Sequence, residues 1–102
     1  MKKDVDIVLA CKALGDPTRL KILDLLKSRG RSCCDLILKG ERGLCACDIE
    51  GAVGLSQAAV SHHMGLLRRA GLVSAEKRGR WMYYFRNEEA LAGLAELVAK
   101  AV

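Results

Sequence analysis

The chain has 102 residues, of which 51% are hydrophobic and 28% charged, and its formal net charge is +5. That length holds one domain, 1–102, with a small core that burial by a partner chain would help. The hydrophobic share excludes a disordered tail, and no apolar run is long enough to span a membrane. The opening residues Met1-Lys2-Lys3-Asp4-Val5-Asp6 lack the apolar stretch of a secretion signal, so a cytoplasmic location is expected.

Val5, Val8, Leu9 and Leu14 recur at helical spacing and predict a first amphipathic helix over 4–14, ended by Gly15. Cys11 lies between these positions and is expected to be buried as a small apolar side chain. Asp16 can cap the next helix, and Pro17 suits its first position. Leu20, Ile22, Leu23, Leu25 and Leu26 make 17–28 a strongly buried second helix. Residues 29–43 lose the pattern at Arg29-Gly30-Arg31-Ser32, Gly40 and Gly43. Within them, Asp35-Leu36-Ile37-Leu38-Lys39 fits a short helix or a short strand.

Residues 46–53 predict a third helix ending near Gly54. Ser56 then caps a fourth through Arg69, closed by Gly71. Helix, short glycine-containing turn and helix make a helix-turn-helix. In the fourth helix Val60, Met64 and Leu67 form a core stripe. Gln57, Ala58, Ser61, His62, Gly65 and Arg68 fall on the other side, where small and polar side chains can approach base edges. Ser56 opens that face. His62 is expected at a phosphate or base, and His63, at the edge of the stripe, is expected to pack.

Residues 72–76 and 81–85 predict two strands joined by Lys77-Arg78-Gly79-Arg80, a basic-tipped hairpin of the kind that forms a wing. Trp81, Tyr83, Tyr84 and Phe85 are expected to pack within it. Asn87 caps a last helix with Glu88 and Glu89 in its first turn, and Leu91, Leu94, Leu97 and Val98 give it a broad apolar face. The fold class is mainly α with a β-hairpin: a winged helix-turn-helix of four helices, a two-stranded wing and a C-terminal helix.

Charge and cysteine placement carry the functional reading. Residues 56–87 hold Arg68, Arg69, Lys77, Arg78, Arg80 and Arg86 against Glu76 alone, which accounts for the whole net excess. A local basic surface favours a phosphate backbone, so double-stranded DNA is the expected partner, with Lys77, Arg78 and Arg80 at the backbone. Cysteines stand at 11, 33, 34, 45 and 47. An odd count without a secretion signal argues for metal binding or redox chemistry over structural disulfides.

Cys45 and Cys47 directly precede the helix-turn-helix, which suggests a thiol-controlled grip on DNA. Trivalent arsenic and antimony are soft and prefer thiolate sulfur, and a helix N-terminus favours the thiolate. Residues two apart on a regular helix do not face each other. One ion would then reach both sulfurs only if the first turn unwound, and that distortion would reach the reading helix. Cys33 and Cys34 would supply a third ligand, form a separate site, or be incidental thiols. The same pairs would also suit oxidant sensing through disulfides. No enzyme is expected: there is no Cys-x-x-Cys beside a βαβ pattern and no nucleophile–base–orienter set.

Taken together, Asp16-Pro17-Thr18-Arg19-Leu20, Leu44-Cys45-Ala46-Cys47-Asp48-Ile49, Ser56-Gln57-Ala58-Ala59-Val60-Ser61-His62-His63-Met64 and Gly71-Leu72-Val73 resemble the ArsR/SmtB family of metal- and metalloid-sensing repressors. The resemblance covers nearly the whole chain. It implies a homodimer through the first and last helices, binding to an inverted-repeat operator, and release when metal binds. In arsenic-responsive members the Cys-x-Cys is a ligand set for arsenite and antimonite. Such members often carry a third cysteine three residues after the pair, where this chain has Glu50, a poor ligand for arsenite. Two thiolates would satisfy a methylated trivalent arsenical, and cadmium and lead remain open. No constitutive cofactor is implied. The family's zinc site on the last helix uses His and Asp, and residues 88–102 contain neither.

Overall fold

A computed structural model describes residues 6–28 and 43–102. The expectations for Val5, for residues 35–39 and for Cys33 and Cys34 lie outside the described residues. The elements run α1 (Ile7–Leu14), α2 (Pro17–Ser28), β1 (Gly43–Cys45), α3 (Ala46–Val53), α4 (Gln57–Arg69), β2 (Val73–Arg78), β3 (Trp81–Arg86) and α5 (Glu88–Ala101).

Local chemistry sets most of these bounds. Helix N-termini leave backbone N–H groups without helical partners, and short polar side chains satisfy them. Asp6 accepts from the Leu9 N–H at 3.1 Å, Asp16 from Arg19 at 3.1 Å, Ser56 from Ala59 at 3.2 Å and Asn87 from Ala90 at 3.1 Å. The turn between α3 and α4 depends on Gly54, whose φ of 70° lies in the left-handed region that side chains disfavour. At the end of α4 the Gly71 N–H bonds Arg68 O at 2.9 Å and the Leu72 N–H bonds Leu67 O at 3.0 Å, a Schellman closure.

One apolar cluster joins every layer. Ala10 and Ala13 of α1, Ile22, Leu23 and Leu26 of α2, Leu44 of β1, Ile49 of α3, Val60, Met64 and Leu67 of α4, and Leu94 of α5 are all buried in it. The stripe expected on the fourth helix is therefore the one that seats α4. Two expectations for the helices need correction. Leu20 is 52% exposed, not part of a fully buried second helix, and Cys11 is exposed, not buried. Both are apolar side chains on outward faces, which helical periodicity does not distinguish from a second apolar stripe.

The sheet also departs from expectation. The wing is three-stranded, in the order β1-β3-β2, and both pairings are antiparallel. The added strand, β1, pairs Gly43 with Phe85, Leu44 with Tyr84 and Cys45 with Tyr83. Glycine at 43 lets the Phe85 ring lie over the strand, because a Cβ there would collide with that ring and force it to shift. The hairpin is tighter than expected. Arg78 pairs with Trp81, which leaves Gly79 and Arg80 as the loop, and Gly79 takes the φ of 64° that such turns favour. Tyr83 and Tyr84 are buried as expected, and Trp81 is partly exposed.

Candidate nucleic-acid interface and thiol site

α4 presents its outer face to solvent. Ser56, Gln57, Ala58, Ser61 and His62 are exposed at its N-terminal half. Ser56 Oγ is occupied by the helix cap, so any contact it makes to DNA is shared with that bond. Arg68 is exposed on the same stripe, about 16 Å beyond Gln57 at 1.5 Å per residue. Its charge bears on Tyr84: burial pushes the Tyr84 hydroxyl above its ordinary pKa, and Arg68 opposes that shift.

The structure divides the basic segment. Arg68, Arg69, Lys77 and Arg80 are exposed. Arg78 is turned inward. It donates to Glu76 at 3.0 Å, its guanidinium lies 5.0 Å from the Phe85 ring centre, and its side chain is 16% exposed. Arg86 bonds Glu88 at 2.7 and 3.0 Å and Leu23 O at 3.2 Å, tying α2 to the start of α5. Within 56–87 the exposed cations are therefore those of the wing tip, Lys77 and Arg80, and of the far end of α4, Arg68 and Arg69. Free energy from phosphate contacts depends on accessible charge and not on charge count.

The thiols are arranged differently from the helical expectation. α3 spans the expected 46–53, with Cys45 just outside it. Cys45 ends β1 and stands as the helix N-cap, with extended backbone at φ −67° and ψ 150°. The extended residue turns its side chain back over the first turn, and the Cys47 and Cys45 sulfurs lie 3.1 Å apart. No unwinding is needed to bring them together, so that part of the expected switch is corrected. The Asp48 carboxylate accepts from the Cys45 N–H at 3.3 Å and fixes this junction. Cys45 is fully buried and Cys47 is half-buried, so solvent reaches the pair from the Cys47 side.

Two metal–sulfur bonds of about 2.3 Å to one centre place their sulfurs roughly 3–4 Å apart, so the pair fits two positions of a thiophilic ion. Among the described residues no group of three or more His, Cys, Asp or Glu is placed to hold a metal. Sequence reasoning missed β1, and so missed that Cys45 belongs to the wing sheet. The alternation of Gly43-Leu44-Cys45 is too short to announce a strand. It also missed the pairing of Arg19 with His63, whose Nδ1 lies 2.9 Å from Arg19 Nη1. His63 packs, as expected, but through this bond.

Among the described residues no helix is long and apolar enough to cross a membrane. Residues 36–75 match the family of bacterial regulatory proteins named arsR. The arsenical resistance operon repressor of Escherichia coli is 34% identical over 90 residues, spanning 88% of this chain and 67% of that one. A cadmium resistance regulatory protein, a CadC homolog of Staphylococcus aureus, is 35% identical over 92 residues, spanning 90% and 66%. The solution structure of a homodimeric winged helix-turn-helix DNA-binding domain from Mycobacterium bovis, a possible ArsR-family regulator, superposes with a TM-score of 0.67 at 27% identity, over 93% of this chain and 77% of that one. With relatives above 30% identity matched over most of its length, the chain belongs to the ArsR family, as a winged helix-turn-helix repressor that binds DNA.

Proposed function

We propose that this repressor binds its operator as a homodimer and is released when trivalent arsenic or antimony binds Cys45 and Cys47. The observation that carries the reading is the 3.1 Å separation of the two sulfurs at the junction of β1 and α3. Arsenic in its trivalent state seeks thiolates, and a preset pair lowers the ordering cost of capture. The named functions of the E. coli and S. aureus relatives support a thiophilic inducer.

In this reading Gln57, Ala58, Ser61 and His62 enter the major groove, and Lys77 and Arg80 meet phosphates. Dimerisation uses α1 and α5, which pack together and leave Val8 62% and Leu97 38% exposed. The homodimeric M. bovis domain supports that assembly. An ion reaches Cys47 first and then the buried Cys45. Seating it there displaces packing at a residue shared by α3 and the wing sheet, both of which adjoin the DNA-facing elements. The ion therefore favours a shape that holds DNA less well, and by linkage DNA disfavours the ion.

The test uses a duplex selected by the wild-type protein from a randomised pool. Arsenite, methylated trivalent arsenical, antimonite, cadmium and lead are each titrated into the labelled complex. Release by arsenicals or antimonite at concentrations that leave the complex intact with zinc supports the reading. Release by cadmium or lead alone would reassign the inducer. The close sulfur pair also suits oxidation, in which peroxide takes two electrons and two protons from the thiols to give a disulfide and two waters. Release by peroxide and not by arsenite would favour that reading.

A further inference from the structure

A guanidinium joins the reading helix to the end of α1. Arg19 Nε donates to Ala13 O at 2.6 Å and Nη2 to Lys12 O at 3.3 Å, so the side chain closes carbonyls at the C-terminus of α1. Its third arm, Nη1, meets His63 Nδ1 at 2.9 Å. Arginine has only donors, so His63 Nδ1 is the acceptor and the ring carries its proton on Nε2. Asp16 completes the group: it accepts the Arg19 N–H and stands 4.0 Å from the same His63 nitrogen.

We infer that Arg19 is a positioning residue for DNA recognition, which sets the roll of α4 relative to α1 through His63. Val60, Met64 and Leu67 already hold α4 to the core by burial, and apolar packing is non-directional. The guanidinium fork is planar and rigid, so its bonds fix an angle as well as a distance. His63 lies two residues beyond Ser61 and six beyond Gln57, so any roll at His63 passes directly to the side chains assigned to base edges. The three partners come from α1, α2 and α4, and α1 is also the helix assigned to the dimer. The bond thus ties the reading surface to the frame that spaces the two half-sites.

The inference rests on α4 being the reading helix, and the experiment separates the two. Affinity is measured for the selected duplex and for a scrambled duplex, with Arg19→Met, Arg19→Lys, His63→Leu, His63→Asn, the Arg19→Met/His63→Leu double variant and Gln57→Ala. Arg19→Met and His63→Leu should each weaken the selected duplex roughly tenfold, as expected for a charge-assisted bond, with the scrambled duplex unchanged. Arg19→Lys should behave like Arg19→Met, since one point charge cannot reach all three acceptors. The double variant should lose no more than either single one. His63→Asn, whose amide oxygen can replace Nδ1 as acceptor, should recover most of the affinity. Multiplying losses in the double variant, equal losses on both duplexes, or no loss at all would overturn the inference. If Gln57→Ala also leaves the selected duplex untouched, the reading helix is misassigned and the inference falls with it. If Gln57→Ala weakens binding and the Arg19 and His63 variants do not, the inference falls alone.

Discussion

The outer face of α4 and the root of the wing are built in opposite ways. The α4 face is exposed, polar and made by one helix whose inner stripe does the packing. The wing root is buried and made by strands distant in sequence, with Cys45 on Tyr83 and Gly43 beneath Phe85. Side chains on the first surface can change with little effect on folding. Those at the second are fixed by neighbours, so a chemical event at Cys45 reaches the backbone of both the wing and α3. An outward face suits reading a partner, and a buried junction suits reporting a signal.

The largest effect should come from the root. Gly43→Val forces a branched side chain into the Phe85 ring, and overpacking of this kind costs about 1–3 kcal/mol. For a domain of this size the melting temperature should fall by roughly 4–8 °C per kcal/mol, read by thermal unfolding. An unchanged melting temperature would mean that β1 does not pair as described. On the α4 face the opposite pattern is expected. Gln57→Ala should leave the melting temperature within about 1 °C, as for most surface substitutions, and weaken the selected duplex roughly tenfold, while random DNA is bound as before.

A subtler contrast lies within the wing. Arg80→Ala should lower the slope of log affinity against log salt by about 0.9, the value for one lost phosphate contact. Arg78→Ala should change that slope little and act on stability instead, because its guanidinium is held by Glu76 and lies on Phe85. Equal slope changes would place both arginines at the backbone.

The smallest effect should be at the start of α2. The Arg19 N–H that Asp16 accepts holds its carboxyl below the ordinary carboxylate range, and the Arg19 charge adds to this. A lowered folded-state pKa means stability that is present above the unfolded value of about 3.9 and lost as pH falls through the folded value. Asp16→Asn should therefore be slightly less stable than wild type near neutral pH. The gap should close on acidification below about pH 4, measured by denaturant unfolding across pH.

The same division explains what the sequence made legible. Caps and turns are local, so Asp16-Pro17, Ser56, Gly71 and Asn87 mark their helices without help from the rest of the chain. The inward stripe of α4 follows from periodicity. β1 is three residues long, and its reason to exist is a partner 40 positions away, so no local pattern announces it. The thiol geometry was misread for the same reason: helical spacing applied across Cys45 and Cys47 separates the sulfurs, and the extended strand-end backbone of Cys45 brings them together. Cys11 and Leu20 look like core in a helical plot, because periodicity finds apolar faces and cannot say whether the chain itself covers them. Arg19 and His63 meet across 44 residues, and nothing in either neighbourhood specifies the other.

The central claim is that the sulfur pair at the wing root controls the hold on DNA. Its most direct test is fluorescence anisotropy of the selected duplex bound to wild-type protein and to Cys45→Ser, Cys47→Ser and the double variant, titrated with arsenite. The account predicts that the serine variants still bind the selected duplex, and that none of them releases it at concentrations that empty the wild-type complex. Release from the double variant at the wild-type concentration would contradict the claim.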